Sequence, residues 1–113
     1  MEIKETTQAN FVTLSPQGDL DAHSSVALDE KISELLSQKQ HFIHIDCSGI
    51  PYMSSAGLGV FISYLDEIGA SGGKLVLSGL QENVLEVFGL LGLNQLVTIV
   101  GDGASVASEF QGV

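Results

Sequence analysis

Two polar stretches concentrate the side chains able to do chemistry. The first, Gly18-Asp19-Leu20-Asp21-Ala22-His23, holds two carboxylates and an imidazole. The second starts at Asp46-Cys47-Ser48 and runs on through Tyr52-Met53-Ser54-Ser55-Ala56-Gly57-Leu58-Gly59. Paired serines ahead of an apolar helical pattern read as a helix start, because a serine oxygen accepts the orphan amide hydrogens there. A phosphate is favoured at the same place, where unpaired N–H groups and the positive end of the helix dipole meet it. Ser54 and Ser55 therefore read either as caps or as a site that tolerates phosphate. Gly57 and Gly59 fall inside the first turns of that helix. Interior glycine costs about 1 kcal/mol relative to alanine. Two of them imply a close approach, either by the sheet beneath or by a partner outside, and the sequence leaves both open.

Other chemistries fit less well. Asp19, Asp21 and Asp46 have oxygens suited to Mg²⁺, but their spacing does not require a metal. Asp21 reads instead as a turn or cap residue, and Asp46 as the close of a strand. His23, His41 and His44 lack zinc spacing. His44 alternates with Ile43 and Ile45, so it faces a helix layer or solvent in a structural role. Cys47 has no neighbouring cation to lower its pKa and reads as a small core residue. No Ser-His-Asp arrangement exceeds the mere presence of the residue types. Ile62 stands where a dinucleotide fingerprint needs glycine. No catalytic residue, metal or cofactor is expected.

The elements that must position these residues follow from periodicity. Ile3 to Thr7 and Phe11 to Leu14 read as strands, the second closed by Ser15-Pro16-Gln17-Gly18 and weakly resumed at Asp19-Leu20. A helix starts at Ser24 or Ser25, either of which suits an N-cap, with Leu28, Ile32, Leu35 and Leu36 as its stripe. Phe42 to Asp46 is a strand, and Cys47 to Tyr52 a loop. The second helix starts at Ser54 or Ser55, has the stripe Leu58, Ile62, Leu65 and Ile68, and ends over Gly69 to Gly73. Lys74 to Ser78 is a buried-type strand. Gln81 to Leu91 is a third helix with Val84, Val87, Phe88 and Leu91 on one face and Gly92 as its stop. Leu96 to Val100 is a last strand, and Ala104 to Phe110 a short terminal helix after a glycine turn. This alternation predicts an α/β fold: a mostly parallel sheet of four to five strands, about four helices, and an antiparallel first strand at one edge. Both polar stretches then lie beyond carboxyl ends of strands, where α/β sheets place their sites.

Composition narrows the partners. The 113 residues hold 14 Asp and Glu against 4 lysines and no arginine, a formal charge of −10. Lys4, Lys31, Lys39 and Lys74 are scattered singly. Nucleic acid and anionic membrane surfaces need clustered cations and are excluded; the charge favours a basic partner surface. No apolar run reaches the roughly 18 residues of a membrane span. A polar N-terminus and a single cysteine predict a cytoplasmic protein. The length fits one domain over residues 1–113, as a monomer or weak dimer.

The stretch Asp46-Cys47-Ser48-Gly49-Ile50-Pro51-Tyr52-Met53-Ser54-Ser55-Ala56-Gly57-Leu58-Gly59-Val60 resembles the signature of anti-sigma factor antagonists, the STAS-domain family. Gly18-Asp19-Leu20-Asp21 is similar to that family's Gly-Glu-Leu-Asp turn. Gly72-Gly73-Lys74-Leu75-Val76-Leu77 and Phe88-Gly89-Leu90-Leu91-Gly92-Leu93 resemble later family segments. The resemblance implies a regulatory protein rather than an enzyme. Its unphosphorylated form binds an anti-sigma factor that is also a serine kinase; phosphorylation releases it, and a serine phosphatase restores it. The modified serine maps to Ser55, with Ser54 the lesser candidate, standing where the family usually has Asp. The partner-binding set implied is Asp19, Asp21, His23, Ser54, Ser55, Ala56, Gly57, Leu58 and Gly59. An alternative role for the same fold is an accessory subunit of a membrane transport complex.

Overall fold

The computed structural model describes residues 1–93, 97–101 and 106–110. Nine elements follow in the order β1 (Glu2–Thr7), β2 (Val12–Gln17), α1 (Ser25–Ser37), β3 (Phe42–Asp46), α2 (Ser55–Ala70), β4 (Lys74–Ser78), α3 (Glu82–Leu90), β5 (Thr98–Val100) and α4 (Val106–Glu109). The sheet order is β1-β2-β3-β4-β5. β1 runs antiparallel to β2 at the edge, and every later pair is parallel. This is the α/β architecture expected from the alternation.

Chain order and sheet order coincide, and that decides where the helices go. Each parallel crossover steps in the same direction, and crossovers are right-handed. α1, α2 and α3 must therefore pack on one face. Their buried residues Leu28, Ile32, Leu58, Phe61, Val84 and Phe88 meet Leu14, Ile43, Ile45, Leu75 and Leu77 from the sheet. The alternate strand residues point the other way. Phe11 and Val76 join Val106 and Phe110 in a smaller cluster under α4. Phe110 stacks on Phe11 at 4.4 Å and meets Phe42 edge-on. Asn10 Nδ2 donates to the Phe110 carbonyl at 2.8 Å, and Lys74 pairs with Glu109 at 3.0 Å. On the helical face, the Tyr64 hydroxyl of α2 donates to the Asp29 carboxylate of α1.

Several boundaries differ from the sequence reading, each for a physical reason. β2 continues through Ser15-Pro16-Gln17. Pro16 pairs with Ile3 of the edge strand and lies past Leu14, the last residue of β2 that pairs with β3. Proline's missing donor is tolerated beyond that inner ladder. Ile62, assigned to the apolar stripe of α2, is 43% exposed, and Phe61 is buried instead. Val87 and Leu91 likewise leave the buried face of α3, which keeps Val84 and Phe88. Leu96 and Ala104, the expected starts of the last strand and helix, lie outside the described residues. Gly92, with φ of 73°, ends α3 as expected.

Candidate functional site

Adjacent strands bring the two polar stretches together. Beyond Gln17 and Asp46 the chain still pairs, as a short zipper between loops. Gly18 N–H donates to the Gly49 carbonyl at 2.9 Å and Leu20 N–H to the Tyr52 carbonyl at 2.8 Å; Ser54 N–H returns to the Leu20 carbonyl at 2.8 Å. Leu20 and Met53 form an isolated parallel bridge. Leu20 is fully buried, so the turn between β2 and α1 is anchored from beneath against the start of α2. Gly18 opens that turn with φ of 112°, a region closed to most side chains.

Within this frame the first stretch is self-contained. Asp21 Oδ1 accepts from His23 N–H at 3.0 Å and Ser24 N–H at 2.9 Å. Ser24 Oγ accepts from Asp21 N–H at 3.0 Å and donates to the Asp19 carbonyl at 2.7 Å. Ser24 stands at the N-cap position of α1, as one of the two serines expected there, but makes no side-chain cap bond to the helix; the Asp21 carboxylate serves the turn ahead of it. The Ser24 backbone bond is the main reason that the Asp21 carboxyl lies below its ordinary range. Asp46 Oδ1 holds Ser48 N–H at 3.0 Å in the same manner. Both carboxylates thus serve backbone turns, as the sequence predicts. Among the described residues no three His, Cys, Asp or Glu side chains gather in a way that would hold a metal ion.

At the start of α2 the two serines separate into different roles. Ser54 is the N-cap, with extended backbone, and its Oγ accepts from Gly57 N–H at 3.2 Å. Its carbonyl accepts from Leu58 N–H at 3.0 Å. Ser55 is the first helical residue and is exposed. Its side chain has no hydrogen-bond partner among the described residues. Ser55 and Ala56 contribute first-turn amides, which lack intrahelical acceptors by geometry.

The two glycines also separate. A Cβ on Gly57 would stand 2.8 Å from Leu20 Cγ and 2.9 Å from the Leu20 carbonyl oxygen. Gly57 therefore lets α2 close against the other loop. Gly59 is exposed, and a Cβ there would meet nothing within 4 Å. Asp19 and His23 are exposed on the neighbouring turn, and Ala56 is exposed beside Ser55; Leu58 is buried.

The exposure of Tyr52 and the hydrogen-bond partners of His44 are not readable from the sequence. Tyr52, 53% exposed, stands at the zipper next to Ser54. Across the sheet, buried His44 links Thr13 Oγ1 through Nδ1 at 3.0 Å and Ser78 Oγ through Nε2 at 2.7 Å. His44 takes the structural role expected of it, facing the α4 side with Phe11 edge-on to its ring. Burial lowers its pKa, opposed by Asp46. Cys47 is buried, and burial pushes its thiol pKa up, away from nucleophilic use.

Comparison with known proteins supplies a frame for this geometry. An anti-sigma-B factor antagonist of Staphylococcus epidermidis is 26% identical over 106 residues, covering 94% of this chain and 97% of the relative. A crystal structure from Thermotoga maritima, described as a candidate anti-sigma factor antagonist, superposes with TM-score 0.90 at 24% identity, covering 96% of this chain and 94% of that one. The Bacillus cell fate determinant SpoIIAA in its phosphorylated form gives TM-score 0.76 at 20% identity, covering 96% and 99%. The family model described as the STAS domain matches residues 2–105. With its five-stranded mixed sheet, its helices and this match, the chain belongs to the STAS-domain family.

Proposed function

We propose that this protein is a cytoplasmic anti-sigma factor antagonist switched by phosphorylation of Ser55. Unphosphorylated, it binds an anti-sigma factor that is also a serine kinase. The kinase moves the γ-phosphoryl group of ATP to Ser55 Oγ, whose proton leaves, and releases ADP. The modified chain dissociates, and a serine phosphatase hydrolyses the ester to reset it. The protein is a substrate and a ligand; the catalysts are its partners. The curated relatives, named as anti-sigma-B factor antagonists, favour this regulatory role over a transport accessory role.

The observation that carries the reading is the division of labour between the serines. Ser54 spends its oxygen on Gly57 N–H, whereas Ser55 presents an exposed hydroxyl at the first position of α2. That favours Ser55 over Ser54 as the phosphate acceptor. The added group brings about −1.5 to −2 charges at pH 7. Nearby Ser55 and Ala56 amides and the helix dipole tolerate it. No arginine exists to neutralise it, and Lys31 and Lys74 are already paired with Glu5 and Glu109. Its bulk and charge therefore fall on whatever docks there. A loss of about 3–4 kcal/mol weakens binding several-hundred-fold, enough to exchange partners. The docking surface in this reading comprises Asp19, Asp21 and His23 with Ser54, Ser55, Ala56, Gly57, Leu58 and Gly59. Gly57 and Leu58 act from beneath by fixing the helix start.

The test is binding and phosphosite mapping with the anti-sigma factors of the host. Ser55→Ala is expected to stay bound in the presence of ATP, and Ser55→Asp to bind at least about a hundredfold more weakly. Equal affinity of the two variants, or phosphate recovered on Ser54 instead, overturns the assignment.

A further inference from the structure

One open edge of the sheet is β1, whose six residues pair with β2 in unbroken register. Gln8 N–H donates to the Phe11 carbonyl at 2.8 Å, and these two residues extend the same register by one step. Antiparallel ladders alternate hydrogen-bonded and non-bonded pairs. Glu2, Lys4 and Thr6 therefore bond inward to β2, and the N–H and C=O groups of Ile3, Glu5 and Thr7 point away from β2, toward the open edge. Pro16, which has no N–H, stands opposite Ile3 in agreement with this phase. Such an edge is a template for another strand unless something blunts it, and Glu2–Thr7 contains neither proline nor glycine and makes no bulge. It does carry charge. Glu5 is taken by Lys31 of α1 on the helical face. Glu2 and Lys4 lie on the other face, exposed, and neither has an ion-pair partner among the described residues.

We propose that this edge takes a second copy of the chain: β1 pairs antiparallel with β1 of another molecule about a two-fold axis at Ile3. A two-fold seam is self-complementary, so that if one residue faces another the reverse contact is also made, and the charges choose its centre. Centring on Glu2, Lys4 or Glu5 opposes like charges. Centring on Thr6 or Thr7 brings no unlike charges together. Ile3 alone sets Glu2 opposite Lys4 of the second copy, sets Lys4 opposite its Glu2, and lays Ile3 against Ile3. Cross-strand neighbours stand about 4.5–5.5 Å apart between Cβ atoms, within reach of an ion pair. The outward N–H of each Ile3 then donates to the Ile3 carbonyl of the other copy. The net charge of −10 opposes the association, which keeps it weak. Because the paired strands run oppositely, the zipper and Ser55 of the two copies lie at opposite ends of the joined sheet, and the seam covers neither. The pairing does not depend on the switch proposed above.

Sedimentation equilibrium of the full chain from about 0.01 to 1 mM tests this, with a dimer dissociation constant on the order of 0.1–1 mM expected. Glu2→Lys alone and Lys4→Glu alone each oppose like charges across the seam and are expected to weaken it at least about tenfold. Mixing the two variants restores both unlike pairs, so a heterodimer comparable to the wild-type dimer is expected. Both positions are exposed, and thermal melts are expected to stay within about 2 °C of the wild type. Amide hydrogen exchange gives a reading without substitutions. Ile3 N–H is expected to exchange more slowly as the chain concentration rises, and Lys4 N–H, bonded to β2, to be indifferent to it. A wild-type chain that stays monomeric at about 1 mM overturns the proposal. So do single variants that dimerise as the wild type does, a mixture that recovers nothing, or an Ile3 amide that ignores concentration.

Discussion

At residue scale, the cap and the proposed phosphate acceptor are neighbours with opposite requirements. Ser54 keeps an acceptor oxygen on Gly57 N–H, and the proposed switch needs the Ser55 hydroxyl free. Ser54→Ala removes the cap and is expected to destabilise the fold by about 1 kcal/mol. Ser54→Asp keeps a capping oxygen and adds a negative charge at the helix start. Chemical denaturation of the pair checks this, with the Asp variant expected at or above wild-type stability. Gly57 behaves differently from Gly59. Gly57→Ala drives a methyl into Leu20 and is expected to cost about 1–3 kcal/mol, read by the same denaturation curves. His44 gives a pH signature. Its folded pKa is depressed below 6.5, chiefly by burial, so the unfolded chain binds the proton more readily. Its contribution to stability is complete above the unfolded value and is lost as pH falls through the folded one. The melting temperature is therefore expected to fall on acidification from about pH 7 to about pH 5, and His44→Gln to flatten that slope.

At element scale, what was legible depended on whether one strand or helix sufficed to decide. Phe42–Asp46 and Lys74–Ser78 stand where the sequence places them, because short apolar runs bounded by turn residues are local signals. Ile62, Val87 and Leu91 were misplaced because helical spacing alone does not say where the sheet ends and solvent begins. The Thr13–His44–Ser78 chain was out of reach for a related reason. It needs the register that sets Thr13 beside His44 and Ser78 beside Asp46, and register is a property of pairs. The site was the most legible part, since its hydroxyls, glycines and carboxylates form local motifs. The split between Ser54 and Ser55, and between Gly57 and Gly59, required the opposing loop. Among the described residues the shortest helix is α4, Val106–Glu109, and Val106, Glu109 and the adjoining Phe110 hold it to the sheet. Phe110 is fully buried between Phe11 and Phe42. Phe110→Ala is expected to destabilise by about 3–5 kcal/mol, measured by denaturant unfolding. Its effect on partner binding is expected to be small at temperatures where the fold persists.

At the scale of the whole molecule, the charge of −10 acts through encounter rather than fold. Association with a basic partner is expected to slow by roughly tenfold or more as ionic strength rises from about 0.05 to 0.5 M. Dissociation is expected to change less, and stopped-flow mixing separates the two. The sheet itself holds a further consequence. Its strands lie side by side in the order in which the chain supplies them. During synthesis, each arriving strand can be added to an open edge, and none has to be threaded between two that have already paired. Ribosomal chains emerge amino end first. The zipper between Leu20 and Met53 and the start of α2 are therefore supplied before α3, β5 and α4 exist. The surface proposed to meet a kinase is written into the first two-thirds of the chain, and the last third arrives afterwards to close the sheet around it.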